Sequence, residues 1–310
     1  VTVPAGEMIE TFPCFGGSVM VAVMGSGPAG SPTAAVAAVK RRMLEWDAQF
    51  SRFRPDSELS LLNADARETV PVSPLMARFV EALVAAASAS GGLVDGTLVT
   101  EIEAAGYAGD FEGESLPLAR ALELAPERAA GGPSSAARWR EVTVDRNAGT
   151  VTRPQGVRLD SGGIAKGLFG DVLSGILAGH QSFAIDCAGD VRLGGHDQLD
   201  RSVQVAGAFD SEILHTFLLS GGAVATSGIG KRSWLDGAGR PAHHLLDPAS
   251  GAPAFTGIVQ ATALAPSGVE AEWRAKAALL SGSGAARSRL PHGGLLVYDD
   301  ASFEVMPGGL

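Results

Sequence analysis

The stretch Asp160-Ser-Gly-Gly-Ile-Ala-Lys-Gly-Leu-Phe-Gly-Asp171 contains the residue types that can hold an anion. A strand is expected to end at Leu159, two glycines turn the chain, and Lys166 falls in the first turn of an expected helix. Free N–H groups at a helix start, its dipole and an ammonium together favour negative charge, and glycines let a phosphate approach the backbone. The spacing is neither GxxxxGK[ST] nor GxGxxG, so it is not an ordinary nucleotide fingerprint. Read alone, it is equally a plain glycine turn beside an exposed lysine.

Two further segments end apolar runs with polar groups. Phe183-Ala-Ile-Asp-Cys-Ala-Gly-Asp190 leads a short strand into a turn and a carboxylate, which in isolation is only a strand end. Ala223-Val-Ala-Thr-Ser-Gly228 offers Thr226, Ser227 and Gly228 as hydrogen-bonding groups at a strand end. His243-His244-Leu-Leu-Asp-Pro-Ala-Ser-Gly251 sets two histidines beside good turn chemistry. A histidine is a natural acid or base near neutrality, although a lone one is more often structural. Adjacent histidines in a strand face opposite ways, so at most one serves a common site.

The elements that must position these groups follow from periodicity. Met20–Met24 reads as a strand, residues 25–32 as a turn-rich break, and residues 33–53 as an amphipathic helix. A second helix fits residues 74–89, with Ser73 as its cap. Residues 101–140 give no clear pattern. Residues 141–159 alternate around Asn147-Ala148-Gly149 as a hairpin, and a helix follows over 164–177. Strands are expected near 183–185, 203–205, 214–219, 223–225 and 259–264, then a helix over 269–280, and residues 294–298 close the chain as a strand. Strands and helices intermix without regular βαβ alternation. The expected class is therefore α+β (irregular α/β): one two-lobed domain over 1–310, with mixed sheets and flanking helices.

Composition narrows the function. The chain has 310 residues, 45% of them hydrophobic, which is enough for a substantial core. Net charge is −10 and no basic run exceeds Lys40-Arg41-Arg42, so neither nucleic acid nor an anionic membrane surface is an expected partner. Cys14 and Cys187 read as two isolated thiols and cannot build a cysteine-rich metal site. No window approaches 18 uninterrupted apolar residues, so no membrane-spanning helix is expected, and with no export segment the expected place is cytoplasmic, or extracytoplasmic if a leader was removed.

Taken in order, these segments resemble the ApbE family of FAD:protein FMN transferases over nearly the whole chain. The matching pieces are Phe15-Gly-Gly-Ser18, Asp56-Ser-Glu-Leu-Ser-Leu-Leu-Asn63 and Ser90-Gly-Gly-Leu-Val-Asp95-Gly-Thr97. The Asp160–Lys166 stretch, Asp186-Cys-Ala-Gly-Asp190, Thr226-Ser-Gly228 and His244-Leu-Leu-Asp-Pro-Ala-Ser-Gly251 complete the set. The resemblance implies a two-lobed α/β fold with FAD in the cleft between the lobes. It implies cleavage of the FAD pyrophosphate and passage of FMN to a Thr or Ser of an acceptor protein, with AMP released. A divalent cation, usually Mg2+, is implied at the pyrophosphate. By position, Gly162, Gly163, Ala165 and Lys166 would meet phosphate, and Asn63, Asp95, Asp190, Thr226, Ser227 and Gly228 would line the flavin or adenine pocket. His244 would be the base that activates the acceptor hydroxyl.

One position departs from that pattern. Where the family carries an Asp and, four residues on, a Thr that touch the metal, this chain has Glu272 and Lys276. Glu272 could still bind a metal, but an ammonium has only donors and repels a cation. Either Lys276 takes the metal's place against the pyrophosphate, or the two form a surface pair worth about 0.3–0.5 kcal/mol. A metal-independent flavoprotein that keeps FAD intact, and an FAD pyrophosphatase using water as acceptor, therefore stand beside the transferase.

Overall fold

The first long apolar pattern does fold as a helix, but it stops three residues early. In the computed structural model, which describes residues 1, 6–111 and 113–309, strands β1 (Met8–Cys14) and β2 (Gly17–Met24) precede α1 (Pro32–Phe50). Ser51 turns extended, and the Ser57 hydroxyl takes its carbonyl at 2.7 Å, which starts α2 (Glu58–Ala64) instead of prolonging α1. After β3 (Thr69–Pro71) comes α3 (Pro74–Ser90), capped as expected by Ser73 and closed by Gly91 in the left-handed region. Among its described residues the unpatterned stretch holds short helices, α4 (Val99–Ala104) and α5 (Leu118–Leu124), and a 3-10 turn at Arg138–Glu141. The hairpin around residues 146–149 is β4 (Thr143–Asp145) with β5 (Thr150–Thr152), and β3 extends it to three strands.

The remainder runs α6 (Ala165–Leu177), β6 (Ser182–Cys187), β7 (Asp190–Gly194), β8 (Arg201–Ala206), β9 (Ile213–Leu219), β10 (Gly222–Gly228), β11 (Ser233–Leu235), β12 (Pro241–His243), β13 (Ile258–Ala265), α7 (Gly268–Leu280), β14 (Gly294–Tyr298) and β15 (Phe303–Met306). Residues 294–298 therefore do not close the chain. Ala301, at φ 66, makes a tight turn after Tyr298, and β15 pairs back onto β14.

Eight strands form one sheet in the order β1-β2-β6-β7-β10-β13-β14-β15. Every described pair, including those of the smaller β3-β5-β4, β8-β9 and β11-β12 sheets, is antiparallel, so the sheets are not mixed. All eight residues of β13 are buried, which marks it as a central strand. Helix α1 packs on β1 and β2, α6 on β6 and β7, and α7 on β10 and β13. The α+β class holds. No described helix is long and apolar enough to cross a membrane, and both cysteines are free and buried.

Helices α6 and α7 cross through glycine. A Cβ on Gly167 would lie 2.3 Å from the Gly268 carbonyl oxygen, and one on Gly268 would lie 2.5 Å from the Gly167 oxygen. No side chain fits between backbones that close. The crossing brings the start of α6, where the anion-binding pattern lies, against the first turn of α7.

Candidate functional site

Strand registers place two hairpin tips side by side. Phe15–Gly16 joins β1 to β2 and Ala188–Gly189 joins β6 to β7, each a two-residue turn with both residues at positive φ. These dihedrals suit the twist of a tight hairpin. The second turn delivers Asp190, opposite Cys187, with its side chain buried. There Asp190 pairs with the Lys166 ammonium and accepts the Thr226 N–H at 3.2 Å. Strands β7 and β10 pair only from Gly222 to Val224, and the Asp190 carboxylate satisfies the next part of β10 in place of the ladder. Burial works against the Lys166 charge, but Asp190 and Glu272 outweigh it and hold the proton more firmly than usual.

The two crossing helices cap each other. Glu272 on α7 accepts the Gly167 N–H of α6 at 2.8 Å. In return Asp171 on α6 accepts Gly268 N–H at 2.7 Å and Val269 N–H at 3.0 Å, the free donors of α7, while Arg192 binds the same carboxylate at 3.1 Å. Carboxylates at helix N-termini are stabilising, and here each comes from the neighbouring helix. Lys276 donates to the other Glu272 oxygen at 3.1 Å. The pair is not at the surface: the Glu272 side chain is 1% exposed and that of Lys276 12%. Two ammoniums and two carboxylates thus alternate as Lys276, Glu272, the α6 start with Lys166, and Asp190, while Lys166 keeps 27% exposure. A cleft beside them is lined by Lys166, Gly167, Asp190, Arg192, Ala225 and Gly268.

The adjacent histidines divide their roles, but not by strand alternation, because β12 ends at His243 and His244 lies in the bend that follows. His243 is buried; its Nε2 donates to the Ala254 carbonyl at 3.0 Å and its Nδ1 accepts Leu245 N–H at 3.2 Å. Both ring nitrogens are committed. His244 is partly buried, and its Nδ1 is shut off from solvent without a partner. Burial first, then the charges of His243, Arg232 and Lys276, push its pKa down to about 3, so the ring is neutral at pH 7.

His243 makes stability fall with acid. Burial depresses it from 6.5 to about 4, outweighing the Ala254 bond. Above pH 6.5 neither state is charged. As pH falls toward 4 the unfolded chain takes up the proton and the folded one does not, which removes roughly 3 kcal/mol at pH 4. Urea denaturation from pH 7 to 4 should show this slope in the wild type and a flatter one in His243→Gln. Equal slopes would contradict the assignment.

Other expected site residues take varied places. No strand ends at Leu159, since β5 stops at Thr152; Asn63 instead fixes irregular chain before the glycine turn, donating to Leu159 O at 2.8 Å and accepting Leu159 N–H at 2.7 Å. Its amide positions the Asp160–Gly163 loop. Asp95 holds Thr97 N–H at 2.9 Å and the Thr97 hydroxyl at 2.6 Å through one oxygen, leaving Oδ2 buried without a partner. Its desolvation raises its pKa. Gly163 has open space beside it, with only Val94 near a Cβ position, and Gly162 meets only Asp160. Ala165 opens α6 by donating to Ser161 O at 3.1 Å. The Thr226 hydroxyl is taken by Thr262 at 2.9 Å, Ser227 is buried, and Gly228 sits against Val259 O.

Sequence reasoning missed Arg232, which lies beside Gly16 and acts on both His244 and Tyr107. The Gly228-Ile-Gly230 turn before Lys231-Arg232 was the available signal. It also missed an aromatic cluster in which Tyr107 stacks on Trp234 at 5.7 Å, with Phe53 edge-on to Tyr107 and the Arg52 guanidinium over Phe53. Arg52 pairs with Asp160 at 3.4 Å, tying this cluster to the glycine loop.

The donor set does not fit the divalent cation that the resemblance implies. Both Glu272 oxygens are already bonded, and one partner is an ammonium. Mg2+ requires near-octahedral oxygen ligands, which an adjacent ammonium opposes. Among the described residues no group of three or more His, Cys, Asp or Glu side chains converges as a metal site.

The sequence profile of the ApbE family matches residues 15–295. No curated protein matches the chain in sequence. The fold is similar to that of the ApbE protein of Thermotoga maritima MSB8 (TM-score 0.78, 24% identity, 97% of each chain covered). It is also similar to the flavin transferase ApbE of Vibrio cholerae (TM-score 0.73, 18% identity, 99% of this chain and 98% of that one). The flavinyl transferase ApbE of Pseudomonas stutzeri, in its apo form, matches with a TM-score of 0.73 at 21% identity, over 97% and 94%.

Proposed function

Because the chain belongs to the ApbE family, we propose that it binds FAD by its pyrophosphate and transfers FMN to a Thr or Ser hydroxyl of an acceptor protein, releasing AMP. The observation that carries this reading is a lysine–carboxylate cluster at a helix start whose Lys276 charge is felt by a neutral histidine lacking a partner at Nδ1. Lys166 and the open backbone of Gly162 and Gly163 receive the phosphates. Asp190 and Glu272 keep Lys166 charged. The acceptor oxygen attacks the FMN phosphorus and a new P–O bond forms. The bond from that phosphorus to the bridging oxygen breaks, and its electron pair leaves with AMP. The hydroxyl proton passes to His244. Burial is the main cause of the ring's low proton affinity; a bound pyrophosphate offsets the smaller contributions of Arg232 and Lys276 and so moves that affinity upward.

FAD binding is read by quenching of flavin fluorescence. Lys166→Met should weaken it roughly 10- to 100-fold, the worth of a charge-assisted bond, because it also leaves the buried Asp190 carboxylate facing phosphate. Wild-type protein that does not bind FAD, or Lys166→Met that binds equally well, would overturn the reading.

A further inference from the structure

The misfit at the implied metal position itself has a consequence for the cleft. We infer that the Lys276 ammonium, held on Glu272, takes the role of the divalent cation and that FAD binding here is independent of metal; this rests on the flavin reading above. Three observations carry it. Glu272 is committed on both oxygens, to Gly167 N–H at 2.8 Å and to Lys276 at 3.1 Å, so neither is a vacant ligand. Among the described residues Lys276 makes a hydrogen bond only to Glu272, which leaves donors of a three-donor ammonium for an anion. Its charge also reaches both sides of the proposed reaction centre: Glu272 joins it to the Lys166 end, and its field is felt by His244.

The chemistry of the substitution is consistent. One fixed single charge, Lys276, stands where the mobile divalent ion would, beside Lys166, and the positions of both ammoniums are set by Glu272 and Asp190 before ligand arrives. Such preorganised ammoniums stabilise a pyrophosphate without having to shed a hydration shell of Mg2+. The charge of Lys276 does not dissociate, so chelators should not empty the site.

The test is a titration of the full chain with FAD, by fluorescence quenching, in EDTA and in magnesium chloride. The expected affinities of the wild type agree within about twofold in the two conditions. Lys276→Met should bind roughly 10- to 100-fold more weakly in EDTA. The double variant Glu272→Asp with Lys276→Thr supplies oxygen donors in place of the ammonium and should gain magnesium-dependent FAD binding. Wild-type binding that needs magnesium overturns the role of Lys276 and leaves the flavin reading standing, as does Lys276→Met binding at wild-type strength in EDTA. No wild-type binding in either condition overturns the flavin reading and this inference together.

Discussion

His244→Asn lowers FMN transfer by roughly 10²- to 10⁴-fold, the usual contribution of a general base, and leaves FAD affinity nearly unchanged. Asparagine keeps a polar group of similar reach but cannot take a proton at neutral pH. The neighbouring ring is the internal control. His243 has both nitrogens engaged with Ala254 and Leu245, so His243→Asn should lower stability and spare the turnover of whatever protein remains folded. Rates measured at saturating FAD separate the two effects, since loss of a base lowers kcat without raising KM. Equal transfer by His244→Asn and wild type would remove His244 from the reaction.

Gly167→Ala should be among the most damaging single methyl groups in the chain, costing about 3 kcal/mol or more by overpacking. The new Cβ would lie 2.3 Å from the Gly268 carbonyl oxygen, and the nearest obstacles are backbone atoms that no rotamer change can clear. Parting α6 from α7 would also break the reciprocal caps, Glu272 to Gly167 N–H and Asp171 to Gly268 N–H. Gly175 lies on the same helix with nothing within 4 Å of its Cβ position. Gly175→Ala should therefore stabilise by about 0.5–1 kcal/mol through helix propensity alone. Urea denaturation of the two variants reads the difference. Equal stabilities would mean that the helix crossing is not held by backbone contact.

What could be read from the sequence was local. Ser73 before Pro74, the Ala188-Gly189 turn before Asp190, and Gly162-Gly163 before Lys166 each act within a few residues, and each folds as its chemistry dictates. Strand alternation was expected to separate His243 from His244, but β12 ends at His243 and it is the following bend that turns His244 away. The site's wiring was not legible because its partners are far apart in the chain. Glu272 lies 105 positions from Gly167, and Asn63 lies 96 from Leu159. Nothing near Asn63 indicates that its amide is spent on the Leu159 backbone. Resemblance likewise matched Glu272 and Lys276 to the family's Asp and Thr positions but could not say that they are buried. Short edges such as β15 escaped because four residues carry too little alternation to distinguish from a loop.

The most direct measurement mixes the protein with FAD and a polypeptide bearing an acceptor Thr or Ser, then follows AMP by chromatography and the acceptor by mass spectrometry. The account predicts AMP and acceptor-bound FMN in equal amounts, with neither formed when the acceptor is omitted. FAD recovered intact from a protein that binds it tightly would contradict transfer and identify a flavoprotein that keeps its cofactor. AMP and free FMN appearing without acceptor would contradict it in the other direction, with water taking the acceptor's place.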